Sequence, residues 1–148
     1  MLNIKEKNQE YSTLIDTCAP GKYDCAGLYS ISIGNKLVYI GKSVNIKNRL
    51  CNHLLNINEE EAAKYKSNKY KVLREAINNG FPIIFDKIYE SPKTAEEDII
   101  QDIGEKEGEY IRKYLPPLNY QIPKESDWHK FTTNKTAKII TLKQIIMD

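Results

Sequence analysis

The stretch Gly27-Leu28-Tyr29-Ser30-Ile31-Ser32-Ile33-Gly34-Asn35-Lys36-Leu37-Val38-Tyr39-Ile40-Gly41 decides how this chain is read. After Gly27 its first arm alternates apolar and polar side chains, the period of a strand with one buried face. Gly34-Asn35 offers the positive φ that a two-residue hairpin turn needs. Lys36 to Ile40 is then the returning strand, closed by Gly41.

Working outward, Ser43 and Asn45 are both good N-caps for a helix whose buried stripe is Ile46, Leu50 and Leu54. A second helix is expected from about Asn68 to Asn79, with Leu73 and Ile77 inward and Gly80 as its stop. A third strand runs from about Ile83 to Tyr89. Thr94-Ala95-Glu96-Glu97 has the pattern of a capping box, opening a long helix that carries Ile99, Ile100, Ile103 and Ile111. Gly104 and Gly108 weaken that helix enough to divide it, and Pro116-Pro117 ends it. Residues 1–26 are read as an N-terminal extension with a short helix and a Pro20-Gly21 turn, 27–122 as the main domain, and 123–148 as a C-terminal extension. Within that extension Thr136 to Met147 fits an amphipathic helix or an extra strand.

The 148 residues amount to one domain with short extensions. No apolar run approaches the roughly 20 residues of a membrane helix, and Met1 to Glu6 lacks a secretory apolar stretch. The expected setting is therefore intracellular: cytoplasmic, or nuclear in a eukaryote, with no membrane partner. Cys18, Cys25 and Cys51 are expected as reduced thiols. With His53 they number four zinc-type ligands, but they lack the close pairing of zinc sites. Net charge is only +2, yet Gly34–Lys71 holds eight basic residues against three acids, while Asp86–Glu109 holds nine acids against three lysines. The basic part can meet phosphates and the acidic part cannot.

Tyr29 and Tyr39 are two of ten tyrosines, and alone they would be read as filling a sheet surface. Arg49 and His53 are four apart and so share one helical face. Only three of the 22 basic residues are arginine, so an arginine here suggests that a planar fork is wanted for two phosphate oxygens. Lys42 and Ser43 follow Gly41, where a backbone can approach phosphate closely, and Lys47 lies one turn on.

Taken together, Gly27-Leu28-Tyr29, Tyr39-Ile40-Gly41, Arg49 ten residues after the second tyrosine, His53, a helical Glu109 and Asn119 after Pro116-Pro117 resemble the GIY-YIG nuclease family. Leu28 stands where the name-giving isoleucine would be, a conservative change in an apolar slot. The resemblance covers about Gly27 to Asn119. It implies a small α/β fold, with a three-stranded antiparallel sheet carrying the tyrosines and helices flanking it. It also implies a metal-dependent endonuclease that hydrolyses DNA phosphodiester bonds. Tyr29, Tyr39, Arg49, His53 and Glu109 would be the catalytic set, with Glu109 the ligand of Mg²⁺ or alternatively Mn²⁺. Lys42, Ser43, Lys47 and Asn119 would be the DNA contacts, and a homodimer is compatible with the pattern. A restriction-like or stand-alone mobile-element or phage-type enzyme fits the length. The rival reading is an inactive DNA-binding or protein-interaction module on the same fold.

Overall fold

In the computed structural model residues 4–58 and 68–119 are described. The expectations for residues 123–148, and the charges at Glu59, Glu60, Glu61, Lys64 and Lys66, lie outside them. The elements are α1 (Ile4–Cys18), β1 (Gly27–Ile33), β2 (Lys36–Ser43), α2 (Ile46–Asn58), α3 (Asn68–Asn78), β3 (Ile83–Glu90), α4 (Glu96–Tyr114) and a 3-10 turn (Pro117–Asn119).

The hairpin closes where the sequence places it. Gly34 takes φ 60°, and Ile33 pairs with Lys36 across the turn. The sheet order is β2-β1-β3, with both pairings antiparallel, which is the architecture expected. Being central, β1 is covered on both faces, and six of its seven residues are buried. The alternation had suggested one buried face. The second cover is α4, which lies outside the hairpin's own pattern and brings buried Ile103 to the sheet.

Tyr29, Ile31 and Ile33 project to one face and join Ile46, Leu50, Cys51 and Ile57 of α2 and Tyr70, Val72, Leu73 and Ala76 of α3 in a single core. Burying these side chains contributes roughly 1.5–3 kcal/mol for each large aliphatic residue. Leu28 and Ile40 are fully buried as well, outside that cluster. On α3 the inward positions are Tyr70, Val72, Leu73 and Ala76, whereas Ile77, expected inward, is 42% exposed. The inward face centres on Leu73 and Ala76, and Ile77 lies at its edge in the last turn of the helix.

Helix ends show which local signals acted. Asn45 caps α2, its Oδ1 accepting from the Asn48 N–H at 3.0 Å. Gly80 (φ 81°) follows α3. The expected capping box at Thr94 does not form: the N-cap of α4 is Ala95, with no side-chain hydrogen bond. Three acids in the first turn and Arg112 and Lys113 in the last turn instead complement the helix dipole. Gly104 and Gly108 do not divide α4, which runs unbroken for 19 residues. Its rotation is set by Asp102, which accepts from Tyr89 Oη at 2.7 Å and Ser91 Oγ at 2.8 Å. Leu115 ends the helix in the left-handed region, and its N–H bonds the Ile111 carbonyl at 2.8 Å.

Candidate functional site

Register brings the two motif tyrosines together. Tyr29 pairs with Gly41 and Ile31 with Tyr39, so Tyr29 and Tyr39 are diagonal neighbours on one sheet face. Val38 is an extra residue between the Ile31–Tyr39 and Ser32–Leu37 pairs, a bulge that re-aims Tyr39. The ring centroids lie 6.3 Å apart. Gly41 is glycine because the Tyr29 ring lies across it: a Cβ there would overlap the Tyr29 hydroxyl and its ring carbons. Gly27 plays a comparable part at the other side of β1, where a Cβ would run into the Tyr89 carbonyl.

Helix α2 supplies the next layer. Its stripe buries Ile46 and Leu50, so positions 49 and 53 reach over the tyrosines, and His53 has no solvent exposure at all. His53 Nε2 is 2.6 Å from Tyr29 Oη, and Nδ1 is 2.8 Å from Tyr70 Oη. Arg49 lies close enough to the Tyr29 hydroxyl for its charge to act on the phenol. With Nε2 as the bare nitrogen of the neutral ring, the tautomer that can take a proton at the tyrosine, the Tyr29 hydroxyl donates to it. Nδ1–H then donates to Tyr70. In that tautomer the donor order is Tyr29 to His53 to Tyr70, with the Arg49 charge beside its first member.

The electrostatics match this order. Burial, and next the neighbouring Tyr39, push the Tyr29 phenol well above its ordinary value, and the Arg49 charge opposes them only in part. Tyr29 is thus a neutral phenol at rest and no standing base. Burial first, then the charges of Lys69 and Arg49, hold His53 far below its ordinary value, so the imidazole is neutral. Tyr39 is raised by burial, with Arg49 lowering it and Glu107 raising it.

Glu107 is what the sequence reading missed. It stands four residues after buried Ile103 and therefore on the face of α4 that meets the sheet. It is partly buried and acts on both Tyr39 and Lys42, and burial raises its carboxyl while Lys42 lowers it. Glu109 is a further 200° round the helix. Its side chain is 56% exposed and 3.6 Å from Lys106, so the structure does not bring Glu109 to the tyrosines. The signal that could have found Glu107 was its four-residue spacing from Ile103, in a segment where many acids compete for notice.

Among the expected DNA contacts, only Lys42 stays at the site, exposed and within reach of Glu107. The other three are engaged in holding the fold. Ser43 Oγ accepts from the Asn45 N–H at 3.0 Å and donates to the Asn45 carbonyl at 2.7 Å, bracing the start of α2. Lys47 faces α1 and pairs with Asp16 at 3.3 Å. Asn119 is spent on the free edge of β2: its Oδ1 accepts from the Ile40 N–H at 2.8 Å and its Nδ2 donates to the Ile40 carbonyl at 2.6 Å. That amide pairs with the strand as a neighbouring strand would, between Tyr39 and Gly41.

Among the described residues no group of three or more His, Cys, Asp and Glu side chains could hold a metal. A site here has one carboxylate, Glu107, beside phenol oxygens. Oxygen donors with a single carboxylate suit Mg²⁺, which keeps several waters. Glu107 forms no ion pair among the described residues, so its partly buried charge is open to a cation. No helix among the described residues is long and apolar enough to cross a membrane.

The profile of the GIY-YIG catalytic domain matches residues 25–121. No curated protein sequence matches the chain. Among solved structures a mutant of bacteriophage T4 EndoII is similar, at 24% identity over 63% of this chain and 72% of that chain, with a TM-score of 0.44.

Proposed function

The chain belongs to the GIY-YIG nuclease family, and on that premise we propose that it is a metal-dependent endonuclease hydrolysing DNA phosphodiester bonds. The observation that carries the reading is the connected set Tyr29, His53 and Tyr70 with the Arg49 charge beside it, in which a buried phenol is hydrogen-bonded to a neutral imidazole at 2.6 Å. A surface tyrosine filling a sheet has no need of such a chain.

The roles follow from the donor order. Tyr29 accepts a proton from the attacking water while its own proton passes to His53 Nε2, so no free phenolate has to form. Tyr70 holds the His53 tautomer that leaves Nε2 free to accept. Arg49 donates to the scissile phosphate as negative charge grows on it. Tyr39 lines the opposite side of the water, and Asn119 fixes the β2 backbone that presents it. The new bond joins the water oxygen to phosphorus and the bond to the 3′ oxygen breaks, that oxygen taking a proton from solvent, leaving a 5′-phosphate and a 3′-hydroxyl. Glu107 is the residue that would hold the divalent cation, Mg²⁺ or Mn²⁺. What a bound cation supplies is Lewis acidity toward the phosphate and the departing oxygen.

Glu107→Gln and Glu109→Gln tested side by side decide the carboxylate. Single-turnover DNA cleavage over a Mg²⁺ titration should be abolished in the first and near wild type in the second. The reverse outcome removes Glu107 from the mechanism. Sequencing the ends of cut fragments then separates a restriction-like role from a mobile-element or phage-type one.

A further inference from the structure

Lys69, at the start of α3, is not accounted for by these roles. Its ammonium lies 4.3 Å from the centroid of the Tyr39 ring and 4.8 Å from that of Tyr70. Burial, and then the Arg49 charge, push it down to about 8. Lys69 and Arg49 are both close enough to His53 to oppose its protonation. Among the described residues neither forms an ion pair with a carboxylate. The partly buried acid Glu107 acts on Tyr39 and Lys42 instead.

Two partly buried cations that repel one another, Lys69 seated on phenol rings and neither paired with a carboxylate among the described residues, are a costly arrangement for the protein alone. The ring faces return part of that cost. An anion arriving between the cations would return the rest. We propose that Lys69 is a second phosphate-binding cation of this site, gripping the DNA backbone phosphate opposite Arg49 from its seat on the Tyr39 and Tyr70 rings. The inference rests on the nuclease reading and extends it from α2 to α3. It also gives His53 a reason to gain basicity when substrate binds, because the phosphate offsets both charges that oppose its protonation.

The test is DNA binding in EDTA as a function of salt, with thermal unfolding on the same samples. Lys69→Met keeps a long unbranched stem for the rings and removes the charge. Losing one phosphate contact should reduce the magnitude of the log Kd against log salt slope by about 0.9. The melting temperature should hold or rise, since an uncompensated cation is gone. Lys69→Arg should restore the slope. Single-turnover cleavage by Lys69→Met should fall at least about tenfold, on the scale of one charge-assisted contact. An unchanged slope with a lowered melting temperature would assign Lys69 a purely structural clasp between the rings and overturn the inference alone. A wild-type protein that neither binds nor cuts DNA overturns the nuclease reading as well.

Discussion

Gly41→Ala adds one methyl group at the point where β2 passes beneath the Tyr29 ring. That carbon would overlap the Tyr29 hydroxyl and two ring carbons, and real Cβ contacts are rarely tighter than 3.4 Å. The ring cannot simply swing away. It is 1% exposed, its hydroxyl is bound to His53 Nε2 at 2.6 Å, and His53 is anchored in turn to Tyr70 at 2.8 Å. Either the ring retreats or the strands separate, by about 1 Å, a misplacement of the size that costs roughly 100-fold in rate. Overpacking of this kind costs about 1–3 kcal/mol of stability. Single-turnover cleavage with saturating enzyme, paired with urea unfolding, measures both effects on one preparation. The expected result is a folded, less stable protein that still binds DNA and cuts it about 100-fold more slowly. A variant that cleaves at the wild-type rate would refute the claim that Tyr29 must sit against Gly41 to work.

Arg49→Lys keeps the charge and loses the two-pronged fork, so cleavage should fall about 100-fold while DNA affinity changes little. A nearly fully active lysine variant would leave Arg49 an ordinary phosphate contact. His53 makes stability depend on acid. Its folded-state pKa is depressed below the ordinary value near 6.5, so its contribution is complete above about pH 6.5 and is lost as pH falls below it, at up to about 1.4 kcal/mol per pH unit. Denaturant melts from pH 7 to 4 should show this slope in wild type and lose that share of it in His53→Gln. Equal slopes would mean that His53 is not held neutral.

Several local signals made the fold legible, although the Thr94 capping box and the helix break at Gly104 and Gly108 did not form. Gly34-Asn35 marks the hairpin, Asn45 the start of α2 and Gly80 the end of α3, because positive φ and unsatisfied N–H groups restrict which residues serve. What could not be read is what depends on rotation and on partners distant in sequence. The two-sided burial of β1 required α4, about 70 residues on. Ile77 lies at the edge of the face that buries Leu73 and Ala76, and the apolar pattern alone does not fix where that edge falls. At the candidate site, that Arg49 and His53 share one helical face was readable from their four-residue spacing, and the meeting of Tyr29 with His53 was not. Nor was the choice between Glu107 and Glu109. Both lie in one acidic segment, and only the seating of α4 through Ile103, Tyr89 and Asp102 shows which one faces Tyr39. The amide of Asn119 looks from sequence like a free contact, yet Ile40, 79 residues away, takes both its polar atoms.

The central claim is that the Tyr29 hydroxyl carries the proton of the attacking water to His53, and removing that one oxygen tests it most directly. Tyr29→Phe leaves the ring to pack against Gly41. Single-turnover cleavage of duplex DNA, with Mg²⁺ and with EDTA, should be compared for wild type and variant on samples whose unfolding is measured in parallel. The account predicts Mg²⁺-dependent cutting by wild type, with cleavage by Tyr29→Phe reduced at least about 100-fold, the scale of a positioned proton-transfer group, at near-unchanged melting temperature. Cleavage by Tyr29→Phe at the wild-type rate would contradict it.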